Sequence, residues 1–280
     1  MIGICGGVGP AAGILLHQTI LNHTDSKGID QGHLNVCHIS RSVDITPRME
    51  FLAQRTNATA TQLENPACGM ARTFEMMKTA ALAANVPLVA GIPCITFHVD
   101  PIWNEYRKLA ALDETGYCEG LETVKCLHLL KETVRFLAEI APSCRTVGVM
   151  STDGTRDQRL FRDLLEPLGY TVVEVSADTQ RELQDTISNP DWGIKSNAPI
   201  IQARCIENFQ GFARELITAG AEVLIMGCTE IPFAFGGATA FEGALLLDPL
   251  VALARALIRE VDPSRLKPLV LNGCKQPENL

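Results

Sequence analysis

No CxxC pair, no HExxH helix and no run of eighteen uncharged apolar residues occurs in this 280-residue chain. The first two absences remove the common zinc frameworks, and no metal is expected. The third removes a membrane-spanning helix. Positive charge is in short supply: 24 Lys and Arg stand against 32 Asp and Glu, a net charge of −8. Nucleic acid and anionic membrane both call for a concentrated basic surface, so neither is an expected partner. A small soluble substrate remains. Met1-Ile2-Gly3-Ile4-Cys5-Gly6-Gly7 has no basic segment ahead of an apolar one, so no secretory leader is expected and the expected location is cytoplasmic. The ten irregularly spaced cysteines are then expected to be reduced.

With 46% apolar residues the chain can bury two modest cores. It opens as a βαβ unit: strand Ile2 to Cys5, glycine-rich turn Gly6 to Pro10, helix Ala11 to about His23, strand Val36 to Ile39. A helix from Met70 to Ala84 leads into a strand at Val86. The second half repeats this order, with strand Thr146 to Met150, a turn to Thr155, helix Arg156 to Leu168, strand Thr171 to Val175, a helix over Ile200 to Ala219 and a strand at Val223. Periodicity predicts a helix over Leu121 to Ile140, and the crossover between lobes is placed in the polar stretch before it. The expected fold is therefore α/β: two similar lobes, each a parallel doubly wound sheet flanked by helices, with the active site in the cleft between them. Residues 1–112 plus 246–280 form the first lobe and 113–245 the second. The last ten residues read as frayed.

Two thiols stand apart from the rest. Cys94, in Gly91-Ile92-Pro93-Cys94-Ile95-Thr96, and Cys228, in Gly227-Cys228-Thr229-Glu230, each follow directly on an apolar strand. Backbone N–H groups and a helix terminus at such a junction lower a thiol pKa. Cys94 lies 92 positions after Ile2 and Cys228 lies 81 after Val147, so a duplication would give the two thiols equivalent places. Thr96 and Thr229 supply hydroxyls able to hold a carboxylate or to cap a helix. Arg48, just beyond the second strand, can grip a carboxylate through two hydrogen bonds. The small-residue loop Gly6-Gly7-Val8-Gly9-Pro10 lacks the P-loop lysine and the third glycine of a dinucleotide turn, and reads instead as a close approach of substrate to backbone at Gly7. His98 falls one helical turn beyond Cys94, and Glu230 either polarises a neighbour or repels a thiolate.

The glycine loop, Pro93-Cys94-Ile95-Thr96-Phe97-His98 and Gly227-Cys228-Thr229-Glu230 together resemble the aspartate/glutamate racemase superfamily, nearest its aspartate racemase branch. The resemblance implies two α/β lobes, no cofactor, a homodimer, and inversion of an acidic amino acid, aspartate ahead of glutamate, by proton transfer between Cys94 and Cys228. It makes Thr96 and Thr229 carboxylate ligands, Arg48 the ligand of the distal carboxylate, and Thr152 (with Thr155), Gly7 and Glu230 further substrate contacts. Two departures keep the substrate open. Ile95 stands where the family carries asparagine, and the family's second-lobe lysine is not evident, so that Arg156, Arg159 or Arg162 is the expected substitute. Ile95 favours a less polar substrate for an isomerase, decarboxylase or hydantoin racemase of the same superfamily, and an amino-acid-binding protein without catalysis is a further alternative. Extra residues near Asn57 to Ala67, Trp103 to Gly120 and Ser188 to Pro199 are expected to reshape or cover the cleft.

Overall fold

Short apolar runs ending in glycine or a hydroxyl residue become the strands of two sheets. In the first, β1 (Ile2–Gly6), β2 (Val36–Ser40), β3 (Leu88–Gly91) and β5 (Leu121–Leu127) run parallel in the order β2-β1-β3-β5, and β4 (Tyr117–Cys118) pairs antiparallel with β5. The computed structural model describes residues 1–55, 63–198 and 200–271. β1 is buried along its full length, as a central parallel strand is when helices cover both faces. Gly3 within it leaves room for its neighbours, since a Cβ there would lie 3.0 Å from Ala90 and Leu88 and 3.2 Å from the Met77 sulfur. Met77 belongs to α3 (Pro66–Ala84), which Asn65 caps by accepting from Ala67 N–H and which Asn85 ends in the left-handed conformation.

The second sheet repeats the pattern strand for strand. β6 (Thr146–Ser151), β7 (Thr171–Val173), β8 (Val223–Gly227) and β10 (Ala244–Leu247) are parallel in the order β7-β6-β8-β10, with β9 (Ala240–Phe241) antiparallel at the edge. Its core joins Met150, Leu224 and Met226 to Leu183 and Ile187 of α8 (Ala177–Ser188) and to Phe209, Phe212 and Leu216 of α10 (Ala203–Thr218). Burial of these side chains contributes roughly 1.5–3 kcal/mol each and sets the position of β8 from below.

Several expectations need correction. Leu121 to Ile140 is not one helix but β5 followed by α5 (Leu129–Ile140). Because β4 and β5 complete the first sheet, the chain divides later than residue 112: one compact unit holds Met1–Glu132 with Leu250–Lys267, and the other has Thr133–Pro249 as its main stretch. β10, begun at Ala244, belongs to the second sheet, and the return to the first unit is made by α11 (Pro249–Val261), whose Leu253 lies 3.0 Å from where a Gly91 Cβ would stand. The helix expected over Arg156 to Leu168 is broken into α6 (Asp153–Asp157) and α7 (Arg162–Leu165), with Arg159 between them at a φ of 51°. Most of the Asn57 to Ala67 stretch, Pro199 and nearly all of the carboxyl-terminal ten residues lie outside the described residues. Among the described residues nine cysteines are free, no group of three His, Cys, Asp or Glu side chains is placed to hold a metal ion, and no helix is long and apolar enough to cross a membrane.

Candidate active site

In the first unit the loops that follow β1, β2, β3 and β5 all leave the same edge of the sheet, because those strands are parallel. Gly7 leaves β1 with a φ of 100°, and a Cβ there would stand 2.7 Å from the backbone nitrogen of Arg41, which follows β2. Its glycine is therefore explained by loop-on-loop packing. Arg48 begins α2 (Arg48–Gln54), rather than lying in a loop as the sequence suggested, and reaches back across this edge. Its Nε donates to Thr96 Oγ1 at 2.9 Å and one terminal nitrogen donates to the Val8 carbonyl at 3.1 Å. Thr96 Oγ1 in turn lies 3.5 Å from the Cys94 sulfur. The guanidinium donates to the hydroxyl, and between hydroxyl and sulfur either atom can donate, the hydroxyl being the donor when the sulfur has no proton. Arg48, Thr96, Cys94 and the Val8 backbone, read separately from the sequence, are thus one hydrogen-bonded group. Cys94 is 9% exposed.

His98 is 3% exposed, and its Nδ1 is 2.8 Å from the Cys94 carbonyl oxygen. Its Nε2 accepts from Leu129 N–H at 3.3 Å. Burial lowers its pKa to about 4 and that of its neighbour His128 to about 2. Ile95 is buried at 4% exposure and offers no polar group.

The second unit places Cys228 immediately after β8, the strand that occupies β3's position in the order of its sheet. Ser151 is the register partner of Gly227, so Thr152 sits beside Cys228 at the carboxyl edge. Thr152 and Thr155 hydroxyls are 3.2 Å apart. The Cys228 sulfur donates to Glu230 Oε2 at 3.0 Å, and Thr229 Oγ1 donates to the same oxygen at 3.0 Å. Glu230 therefore engages the thiol itself. Burial first, and then the Glu230 charge, push the Cys228 thiol up to about 12. This reverses the expected direction: only a 3₁₀ turn, Ile231–Phe235, follows the cysteine, too short for a helix terminus to outweigh desolvation.

The arginines expected to replace the missing lysine are occupied elsewhere. Arg156 donates to the Val175 carbonyl and Gln180 Oε1, Arg159 pairs with Asp163 and Glu166, and Arg162 pairs with Glu166 and Glu174. The cation whose charge acts on the Cys228 thiol is Lys195, on the four-residue α9 (Ile194–Asn197), and it lowers the pKa against the larger effects of burial and Glu230. Sequence reading treated Ser188 to Pro199 as an insertion and missed it. A lone basic residue in a polar stretch between two helical patterns was the sole available signal.

The duplicated parallel α/β fold is an architecture shared with solved racemases. The chain is similar to an aspartate racemase from Picrophilus torridus, at 18% identity and TM-score 0.66 over 93% of both chains. It is similar to an aspartate racemase homologue from Pyrococcus horikoshii, at 16% identity and TM-score 0.63 over 93% of this chain and 98% of that one. It also resembles a glutamate racemase from Francisella tularensis solved with D-glutamate, at 13% identity and TM-score 0.52, covering 99% of this chain and 85% of that one. Among curated protein sequences, none matches. The Asp/Glu/Hydantoin racemase family model matches residues 6–257, and the chain belongs to that family, an isomerase of the racemase type.

Proposed function

We propose that this racemase inverts the α-carbon of an acidic amino acid, aspartate in the first instance, with Cys94 and Cys228 as the two proton-transferring groups and no cofactor. The observation that carries the reading is the equivalence of the two thiols: each follows the strand at the same position of an identically ordered sheet. In the resting enzyme Cys228 is the neutral thiol, because burial and Glu230 oppose its ionisation. Cys94, with the Thr96 hydroxyl at its sulfur and Arg48 behind that hydroxyl, is the base for the enantiomer whose α-hydrogen faces it, and Cys228 then delivers a proton to the opposite face. The reaction requires both sulfurs to reach one carbon from opposite faces. Arg48 retains donors for the distal carboxylate while holding Thr96, and Thr152, Lys195 and the Gly7 loop supply the remaining donors for the substrate, joined by Thr96 and Thr229 when their hydroxyls turn from Cys94 and Glu230. One thiolate and one thiol present together give a bell-shaped pH profile whose limbs belong to the pair.

The test is incubation with L-aspartate in heavy water, following α-deuterium by NMR and chirality by polarimetry. Net inversion with deuterium uptake is expected, and its loss in both Cys94→Ser and Cys228→Ser. Inversion at the unmutated rate in either variant ends the two-thiol mechanism. The buried apolar Ile95 favours a second reading, a substrate less polar than aspartate. A 5-substituted hydantoin and glutamate, run beside aspartate, distinguish the substrates by kcat/KM. The reading also includes a homodimer in the cytoplasm, for which light scattering on the purified protein gives the assembly.

A further inference from the structure

The two thiols are held by different means. The Cys228 sulfur is held by a carboxylate, whereas at Cys94 it is the backbone that is gripped. The Cys94 carbonyl accepts from Phe97 N–H at 3.3 Å and faces His98 Nδ1 at 2.8 Å. A carbonyl only accepts, so Nδ1 carries the proton. Leu129 N–H donates to Nε2, so Nε2 is bare. Both ring nitrogens are committed and the imidazole is neutral. Its ring is stacked on Trp103, centroids 4.7 Å apart at 27°, and touches His128 at 4.5 Å. Leu129 is the first residue of α5, directly beyond the end of β5, so His98 bridges the loop after β3 to the helix after the neighbouring strand. The second unit has no counterpart among the described residues: four residues beyond Cys228 stands Pro232, and the Cys228 carbonyl accepts the Ile231 N–H, at 3.1 Å, with no side chain upon it.

We infer that His98 is a positioning residue that fixes the peptide of Cys94, and with it the direction of the Cys94 sulfur, by clamping that carbonyl to the start of α5. The inference rests on Cys94 being a reacting thiol, but its effect is visible without turnover. In His98→Phe the new ring keeps the stacking and loses both hydrogen bonds. In His98→Asn the amide reaches the Nδ1 position and restores the donor to Cys94, whereas in His98→Gln the amide falls at the Nε2 position and does not.

The experiment is iodoacetamide labelling of the intact protein at neutral pH, with Cys94 and Cys228 peptides quantified separately by mass spectrometry. In His98→Phe the Cys94 labelling rate is expected to change by about tenfold, the effect of losing one buried hydrogen bond, while Cys228 stays within about twofold of the unmutated rate. His98→Asn is expected to restore the Cys94 rate. An unchanged Cys94 in His98→Phe, or a parallel change at both thiols, overturns the inference. If the phenylalanine variant does not fold by circular dichroism, the asparagine and glutamine variants decide: Cys94 altered in His98→Gln and normal in His98→Asn sustains the clamp, and any other pattern defeats it. In racemisation, His98→Gln is expected to lower kcat about tenfold with KM little changed, since substrate-binding groups are untouched. Persistent racemisation by Cys94→Ser would refute the role of Cys94 and leave the labelling contrast to judge the clamp by itself.

Discussion

Replacing Glu230 by glutamine removes a charge from the Cys228 sulfur while keeping a side chain of the same shape. The carboxylate oxygen lies 3.0 Å from that sulfur, and a thiolate forming there meets a like charge at hydrogen-bond distance. Raising the thiol from its ordinary 9.0 to about 12 opposes ionisation by about 4 kcal/mol. Burial is the largest single cause and the Glu230 charge the next; removing a like charge at hydrogen-bond distance is worth about one pKa unit, roughly 1.4 kcal/mol. Glu230→Gln is therefore expected to raise the thiolate fraction of Cys228 about tenfold at a given pH. The glutamine amide can also donate to sulfur, which acts in the same direction. The assay is the iodoacetamide reaction rate of Cys228 between pH 7 and 11, read on its own peptide. A rising limb displaced by about one pH unit toward neutrality is expected. A profile superimposed on that of the unmutated protein, or displaced toward alkali, refutes the assignment of Glu230 as a group that adds to burial in keeping this thiol protonated.

Arg48→Lys substitutes a point charge for a planar fork that holds both Thr96 and Val8, so the KM for an acidic substrate is expected to rise about tenfold or more in steady-state polarimetry, with an unchanged KM counting against Arg48 as a carboxylate ligand. Gly7→Ala places a Cβ against Arg41 at a left-handed φ and is expected to destabilise the protein by about 1–3 kcal/mol, while Gly9→Ala, with no atom within 4 Å of its new Cβ, should leave the melting temperature nearly unmoved in the same calorimetric series. His98 is neutral when folded, and its pKa falls from 6.5 to about 4; its stabilisation is fully present above pH 6.5 and is lost as pH falls toward 4, amounting to at most about 3 kcal/mol. Urea unfolding at pH 7, 5.5 and 4.5 should show this decline together with those of His128 and His23, whose pKa values burial also lowers, and His98→Phe is expected to make it shallower by the His98 share if the variant folds.

Strand ends were the legible part of the site. Cys94, Thr96, Arg48, Thr152 and Cys228 all lie within eight residues of a parallel strand's carboxyl end, and an apolar run broken by glycine or proline marks that place locally. Register and partner were not legible. Leu121, Val124 and Leu127 fit a helical period as well as a strand, and the helix actually starts beyond His128, so seven residues alone could not separate the two. The break at Arg159 depends on a single left-handed residue that carries no glycine to announce it. Lys195 and His98 exert their effects through space, on a thiol 33 positions away and on a helix start 31 positions away. The direction of the Cys228 shift required knowing the depth of burial, a property of the packed unit rather than of the strand-to-turn junction.

The repeated strand order has a consequence for kinetics. Two copies of a right-handed βαβ design are related by rotation and never by reflection, so no racemase made of L-residues presents enantiomers with mirror-image surroundings. On the proposed two-thiol reading the disparity extends to chemistry: one sulfur has a hydroxyl backed by a guanidinium, the other a carboxylate. Water is achiral and the two antipodes are equal in energy, so the specificity constants of forward and reverse reactions must still coincide. Any inequality between the halves therefore surfaces as paired, compensating differences in turnover and saturation, with the more tightly held enantiomer being the more slowly converted.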